Sequence, residues 1–355
     1  MTLIQSVILG IVQGVTEFLP ISSSGHLAIL RNLFGIQSDS GLLFDVMLHL
    51  GTVIAICAVF YKDVLRMIGE TVRMISDIGR NGSILIHNKK EKDAVRYKKI
   101  LHNNYRRFVV MILCATIPTA VIGYAARDLV NLAYDSLLAP GIGLIMTAVL
   151  LIIADAAESG KKIPKDISFT SAFLIGIAQG ISTLPGLSRS GTTIAASLIS
   201  GYDRRFAVKY SFIMAIPAIL GAAILELTQM GNSHVSVAQF FIFFIGAAVA
   251  GIVGYFCIKK MLKIVRKKKF RGFAIYCLIV GSVSISAYIA TREDSILREK
   301  IWQQRKRQQL FRQKKKRHRR HSQPEFPKAK TAVKKQTLPQ IPGRNGPHLH
   351  LENRV

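Results

Sequence analysis

The stretch Gln13-Gly14-Val15-Thr16-Glu17-Phe18-Leu19-Pro20-Ile21-Ser22-Ser23-Ser24-Gly25-His26 sits inside an apolar run, Leu3–Leu30, yet it does not read as one spanning helix. Pro20 removes a backbone donor and clashes with the preceding turn, while the serines that follow favour the start of a new helix. Irregular backbone at membrane depth persists only where it is buried in protein or lines a wet cavity. The stretch therefore predicts a re-entrant helical hairpin. Leu184-Pro185-Gly186-Leu187-Ser188-Arg189-Ser190-Gly191-Thr192 interrupts a second apolar run, Ser168–Ile199, in the same way. The two are related by one offset, 166 residues: Gln13-Gly-Val-Thr16 matches Gln179-Gly-Ile-Ser182, and Gly25 after Ser22–Ser24 matches Gly191 after Ser188–Ser190. Polar residues matching at a fixed offset identify an internal duplication.

Outward from the hairpins lie blocks long enough to cross a bilayer, which takes about 20 residues: Leu42–Tyr61, Phe108–Ala125, Ser136–Ala154, Ser211–Leu227, Ala238–Cys257 and Phe273–Ala290. A re-entrant hairpin crosses nothing, and three spans follow the first one. Three is odd, so the second half starts from the opposite face. The expected fold is an all-α polytopic membrane protein with an inverted repeat. Each half is a re-entrant hairpin plus three transmembrane helices, repeat 1 over about 1–160 and repeat 2 over about 161–291. Broken helices of such repeats meet near the midplane to bind polar ligands.

Composition agrees. Of 355 residues 50% are hydrophobic, yet the net charge is +28, and both features come in blocks. Residues 292–355 hold 19 Lys+Arg against 5 Asp+Glu, half of that net charge. An ordinary cytosolic enzyme, a disordered regulator and a collagen-like chain are excluded. The four cysteines sit in apolar blocks without metal-ligand spacing, and no cleavable signal peptide is evident. Loops on one side (Lys62–Arg107, Asp155–Thr170, Tyr202–Lys209, Ile258–Gly272) carry 26 Lys+Arg, and the opposite short loops carry 2. The basic side is expected in the cytoplasm, with both termini outside. The basic tail then lies outside too, against the trend of the short loops.

Ionisable residues inside a membrane are costly and are functional candidates by default. Gln13 and Glu17, four apart, share one helical face before the break. Ser22, Ser23, Ser24 and Gly25, with Ser188, Ser190 and Thr193, surround two helix N-termini, whose free N–H groups attract anions. Arg189 adds a planar fork suited to phosphate oxygens. The bland alternative for Glu17 and Arg189 is a purely structural ion pair; for the serines it is capping, and for His26 a packing role. Asp45 and His49 either border the site or lie at the interface, while Asp155 and Glu226 read as span ends.

Gln13-Gly-Val-Thr-Glu17-Phe-Leu-Pro-Ile-Ser-Ser-Ser-Gly-His26 and Pro185-Gly-Leu-Ser-Arg-Ser-Gly-Thr-Thr193 resemble the two signature motifs of the bacterial undecaprenyl-diphosphate phosphatase (bacitracin resistance protein) family. The resemblance covers about residues 1–290; Gln13 stands where many members carry Glu, and the tail lies outside the pattern. It implies hydrolysis of undecaprenyl diphosphate to the monophosphate at the outer face of the bacterial cell membrane, recycling the lipid carrier for peptidoglycan synthesis. It also implies a divalent cation, Mg2+ or Ca2+. On that reading Glu17 and Gln13 hold the cation, and Arg189 with the amides near Ser188 and Ser23 binds phosphoryl oxygens. Ser23 attacks phosphorus with His26 as base, or His26 activates water directly. Gln13, Ser22, Ser24, Gly25, Ser188, Ser190 and Thr193 line the headgroup site. The competing class is a transporter of an isoprenyl phosphate lipid, because broken inverted repeats build secondary carriers. Partners are the lipid diphosphate and the membrane, without nucleic acid and compatible with a homo-oligomer. The tail, with ten Lys or Arg between Arg305 and Arg320, reads as a solvated extension or as a contact to anionic lipid or wall polymer.

Overall fold

The computed structural model describes residues 1–34, 41–90, 95–134, 136–157, 160–229, 236–265, 270–292, 302 and 306. The chain divides into Met1–Asp294 and Ser295–Val355. Of the second unit only two side chains are described, with Lys306 over the Trp302 ring at 4.7 Å. The expected cationic tail segment from Arg305 to Arg320 falls otherwise outside the described residues.

The described part of the first unit is helical. Its α-helices are α1 (Leu3–Thr16), α2 (Ser23–Phe34), α3 (Gly41–Val59), α4 (Tyr61–Lys90), α5 (Asn104–Tyr134), α6 (Leu138–Ala156), α7 (Phe169–Ile181), α8 (Arg189–Ile199), α9 (Arg204–Gln229), α10 (Val237–Ile264) and α11 (Arg271–Arg292). Five of them (α5, α6, α9, α10 and α11) are long and apolar enough to cross a membrane. A sixth span is obtained if α3 and α4, bent by 93° at Phe60, are counted together. Each of the six apolar blocks of the sequence thus falls on a helix. Many of their large side chains, Ile117, Val121, Ile224, Phe256 and Val283 among them, are more than 60% exposed. Such bare hydrocarbon matches a bilayer, not water. The chain is a multi-pass membrane protein.

One expectation is corrected here. Lys62–Arg107 was counted as a basic loop, but Tyr61–Lys90 is one 30-residue helix, with the connection to α5 folded back on it. Its charges conceal a 3.6-residue apolar period, which a count of apolar blocks does not register.

Helix breaks fall at both predicted interruptions: α1 and α2 flank the first, α7 and α8 the second. The matched sequence carries matched packing. α1 lies along α10, where a Cβ on Gly10 would meet the Gly246 carbonyl oxygen at 2.5 Å. α7 lies along α5, where a Cβ on Gly176, 166 residues on, would meet the Ala115 carbonyl oxygen at 2.2 Å. Glycine at both places lets backbone approach backbone, the usual means of tight helix contact where the solvent is lipid. Each hairpin is thereby seated on a helix from the other half of the chain. Asp155, expected at a span end, accepts from the Phe270 amide at 3.2 Å beside the start of α11.

Candidate functional site

The turns place the site. Ser22 has a positive φ of 70°, and its hydroxyl accepts from the Gly25 amide at 3.2 Å, which starts α2 at Ser23. Ser188 caps α8 in the same way, accepting from the Gly191 amide at 3.1 Å, so that Arg189 opens that helix. Ser23 and Arg189 are therefore counterparts, each the first residue of a second arm. Gly186, at φ +85°, lies so close to α6 that a Cβ would meet the Pro140 carbonyl oxygen at 2.1 Å. Thr147 on α6 pins this turn, donating to the Gly186 carbonyl and accepting from the Ser188 amide at 2.8 Å.

The two turns are tied to each other reciprocally. The Gly186 amide donates to Ser24 Oγ at 3.3 Å, and Ser190 Oγ donates to the Leu19 carbonyl at 3.3 Å. These contacts bring the starts of both second arms to one place.

Glu17 is the centre of that place, with a side chain only 4% exposed. Arg189 from the other hairpin pairs with its Oε1. Its Oε2 accepts from Ser23 Oγ at 2.5 Å and from Gln13 Nε2 at 3.0 Å. His49 Nε2, on α3, lies 3.9 Å from the same oxygen. Arg31 of α2 pairs with Asp45, one turn before His49. The structure thus brings together Gln13, Glu17, Ser23, Arg189 and the turn serines.

His26 is placed differently from the base expected for Ser23. Among the described residues no hydrogen bond joins the two. His26 Nδ1 donates to the Ser22 carbonyl at 2.7 Å, which leaves Nε2 as the acceptor for the Tyr276 hydroxyl at 2.8 Å. The rings stack with centroids 5.6 Å apart. Thr193 does not reach the site at all. It is fully buried, donates to the Arg189 carbonyl at 2.8 Å, and meets Ser211 Oγ of α9 at 2.5 Å, fastening α8 to α9.

Two residues beyond the expected set join the site. His49 was noted only as a borderline polar residue. Tyr276 was missed, although a hydroxyl inside the apolar run Phe273–Ala290 is a readable signal, since buried phenols seek a partner. Tyr276 also borders two grooves. One, of about 800 Å³, is lined by Val15, Leu19, Ile21, Phe273 and Tyr276, with Asp155 and Arg271. The other, of about 290 Å³, runs past Val12, Thr16, His26 and Val280. Their walls are mostly apolar, and they lie beside the polar centre.

Residues able to hold a hard cation are few. No cluster of three or more His, Cys, Asp or Glu with metal-binding arrangement exists among the described residues. Gln13 Oε1, however, is buried without a hydrogen-bond partner there, beside the Glu17 carboxylate. Gln179 Oε1, its counterpart, is equally unpartnered, but Gln179 bonds to Thr119 rather than to a carboxylate. Only the first hairpin therefore offers amide and carboxylate oxygens together, a donor set that suits Mg2+ or Ca2+ when phosphate oxygens complete the shell.

Comparison with known proteins gives a consistent result. The family model described as bacitracin resistance protein BacA matches residues 6–283. A protein named undecaprenyl-diphosphatase from Methanosphaera stadtmanae is 37% identical over 284 residues, covering 80% of this chain and 97% of its own. Proteins of the same name from Desulforapulum autotrophicum and Methanobrevibacter smithii are each 39% identical, covering 99% and 96% of their own lengths and 81% and 80% of this chain. With both hairpins inside the matched region, the chain belongs to the bacitracin resistance protein BacA family.

Proposed function

We propose that this chain is an undecaprenyl-diphosphate phosphatase, a membrane hydrolase that releases the terminal phosphate of the lipid diphosphate and returns the monophosphate carrier to peptidoglycan synthesis. The observation that carries this reading is the Glu17 carboxylate, shared by the Ser23 hydroxyl at 2.5 Å and the Arg189 guanidinium of the opposite hairpin. A hydroxyl that donates its hydrogen bond to a carboxylate, next to a phosphate-binding fork and two helix N-termini, is an arrangement for attack on phosphorus.

In this mechanism the diphosphate enters between the hairpin turns. Arg189 and the amides at the starts of α2 and α8 bind its terminal phosphoryl oxygens and hold the charge that builds on them. Ser23 Oγ attacks the terminal phosphorus as its proton passes to Glu17, and the P–O bond to the prenyl monophosphate breaks. His26, held as the Nε2 acceptor by Ser22, then takes a proton from water through the Tyr276 hydroxyl that donates to it. That water attacks the phosphoserine, the Ser23 O–P bond breaks as Glu17 returns its proton to the Ser23 oxygen, and inorganic phosphate leaves. Glu17 and Gln13 would hold a divalent cation, which when bound neutralises diphosphate charge. The prenyl chain lies along the apolar grooves beside His26 and Tyr276.

The remaining elements of the reading are coupled to this one. The two halves form an inverted repeat in the plasma membrane, the site opens to the outer face, and the activity confers bacitracin resistance. Phosphate release from a C55 isoprenyl diphosphate in detergent, with and without EDTA, tests the proposal. Release that EDTA abolishes is expected. No release in detergent, where no gradient exists, would instead favour a carrier that only moves the lipid.

A further inference from the structure

The hydrolytic site leaves α4 unexplained. Its inner face is bound to the protein: Arg106 of α5 reaches Glu70 at 3.0 Å and Asp77 at 2.8 Å, and Met74 is buried between them. The connection to α5 is laced to α4 by two side-chain amides. Asn81 exchanges 2.8 Å hydrogen bonds with the Lys98 backbone, and Asn88 does the same with Val95 at 2.9 and 2.8 Å. The opposite face is bare. Leu65, Ile68, Val72, Ile75 and Ile86 follow each other at helical spacing and are 56–65% exposed. Lys62, Arg66, Arg73 and Arg80 form a cationic row on one flank of that stripe, three of them a heptad apart. Arg73 also touches Glu70 at 3.0 Å but keeps a side chain 72% exposed.

The geometry says what covers the stripe. α4 leaves α3 at 93°. Because α3 lies in the apolar part of the chain that crosses the bilayer, α4 runs along the membrane plane, for about 45 Å at 1.5 Å per residue. α3 itself exposes apolar surface, with Ile54 68% exposed. A strong apolar face beside a Lys/Arg flank is the pattern of a helix lying in the headgroup region. A second copy is a poor occupant, since a symmetric contact would set one cationic row against another.

We infer that α4 is a membrane-surface anchor whose apolar stripe lies in the headgroup–acyl boundary and whose row from Lys62 to Arg80 binds anionic phospholipid headgroups. Full-length protein in nanodiscs tests this. In a Trp302→Phe background, which removes the single native tryptophan, Val72→Trp or Ile75→Trp reports on the stripe and His102→Trp on the exposed connection. Ile68→Trp serves the same face should either variant fail to fold, and phosphate release shows that the bundle is intact.

The stripe indoles are expected to be quenched by acyl-brominated lipid and shielded from iodide, with the reverse at His102→Trp. Brominated phosphatidylglycerol should quench them more than brominated phosphatidylcholine. Arg73→Gln with Arg80→Gln should lower that preference by up to roughly 30-fold, from the usual worth of two surface cations. Iodide reaching the stripe as freely as His102→Trp would overturn the inference. So would stripe indoles insensitive to bromolipid and exposed only at one copy per disc, which would assign the face to a second copy. Bromolipid quenching without phosphatidylglycerol preference would overturn the headgroup assignment.

Discussion

The Glu17–Arg189 pair has two readings, a strut between hairpins or the working part of a phosphatase, and a charge-removal cycle separates them. The partners are unequally buried, with side chains 4% exposed for Glu17 and 21% for Arg189. Arg189→Gln leaves a nearly dry carboxylate with only Gln13, Ser23 and a more distant His49 as neighbours. Breaking a buried pair in this way costs about 3–5 kcal/mol, and the His49 imidazole brings the expected loss to the low end, about 3. Glu17→Gln leaves a guanidinium with access to water, and about 1 kcal/mol is expected. The double variant Glu17→Gln/Arg189→Gln removes both charges from the low-dielectric site and should recover stability to within about 1 kcal/mol of the parent, because the stranded charge is gone. Activity should not recover. An arginine on a phosphoryl transition state is worth about 10³-fold or more, and the double variant also lacks the acceptor for the Ser23 proton. Thermal unfolding in detergent measures the first quantity and phosphate release from farnesyl diphosphate the second. A double variant that regained both stability and turnover would reduce the pair to a strut and refute the mechanism.

Other consequences follow from single contacts. Tyr276→Phe keeps the stacked ring but removes the O–H donor to His26 Nε2; kcat should fall about tenfold, less than the roughly 10²-fold or more of a whole general base because the imidazole itself remains, with a displaced pH–rate profile and little change in KM. Gln13→Glu places a second carboxylate beside Glu17, and a metal titration of phosphate release should show tighter cation binding and a higher EDTA requirement. Gly176→Ala drives a Cβ against the Ala115 carbonyl oxygen at 2.2 Å and should destabilise by about 2–3 kcal/mol in a thermal melt. Glu70 is held below the ordinary carboxylate range by hydrogen bonds from Asn103 and Arg106, and Asp77 by its hydrogen bond from Arg106. Their contribution to seating α4 is complete above the unfolded value of about 4 and is lost as pH falls through the lowered folded values. Amide protection factors along α4, taken relative to the intrinsic exchange rate at each pH, should therefore be unchanged between pH 7 and 5 and should fall only in stronger acid, while Arg106→Gln should lower them at neutral pH.

The hairpins were legible because their signals are local. Proline, glycine and serine at Leu19–Gly25 and Leu184–Gly191 each act on their own turn, and an offset of 166 can be counted without coordinates. The spans were legible because a bilayer demands length and apolarity and little else. What was hidden depends on contacts far apart in sequence. The hydrogen bond of Tyr276 to His26 spans 250 residues, and the fastening of Thr193 to Ser211 turns a hydroxyl from a site-lining motif inward. The same holds for the proton partner of Ser23. Spacing placed Ser23 three residues before His26, on one arm, but the backbone at Ser22 turns its hydroxyl back to Glu17 on the other arm. α4 was obscured for a different reason, since its apolar residues are spread by helical period among charges instead of gathered in a block.

The duplicated scaffold explains why the chemistry is asymmetric. At offset 166 the pairs are Glu17 with Thr183, Ser23 with Arg189 and His26 with Thr192. The parts that build the turns stay the same in both hairpins: the Ser22 and Ser188 caps, the reciprocal ties of Ser24 and Ser190, and the close-packed Gly10 and Gly176. The parts that the proposed mechanism sets against the ligand differ. A carrier needs a site that binds and lets go, which two alike hairpins would supply. Phosphoryl transfer needs unlike groups on either side of one phosphorus, a nucleophile with a proton acceptor on one and a cation for the departing charge on the other. Placing Ser23 and Arg189 at the same structural position of opposed hairpins, with Glu17 touching both, satisfies that need directly. Replacing Arg189 by Ser, or Ser23 by Arg, would restore likeness between the hairpins while keeping both helix starts. Either change should abolish phosphate release, yet a lipid diphosphate at saturating concentration, still held by the amides at the two helix starts, should protect the turn region from thiol labelling at Ser24→Cys. Loss of that protection together with turnover would mean that the asymmetry serves binding rather than bond breaking.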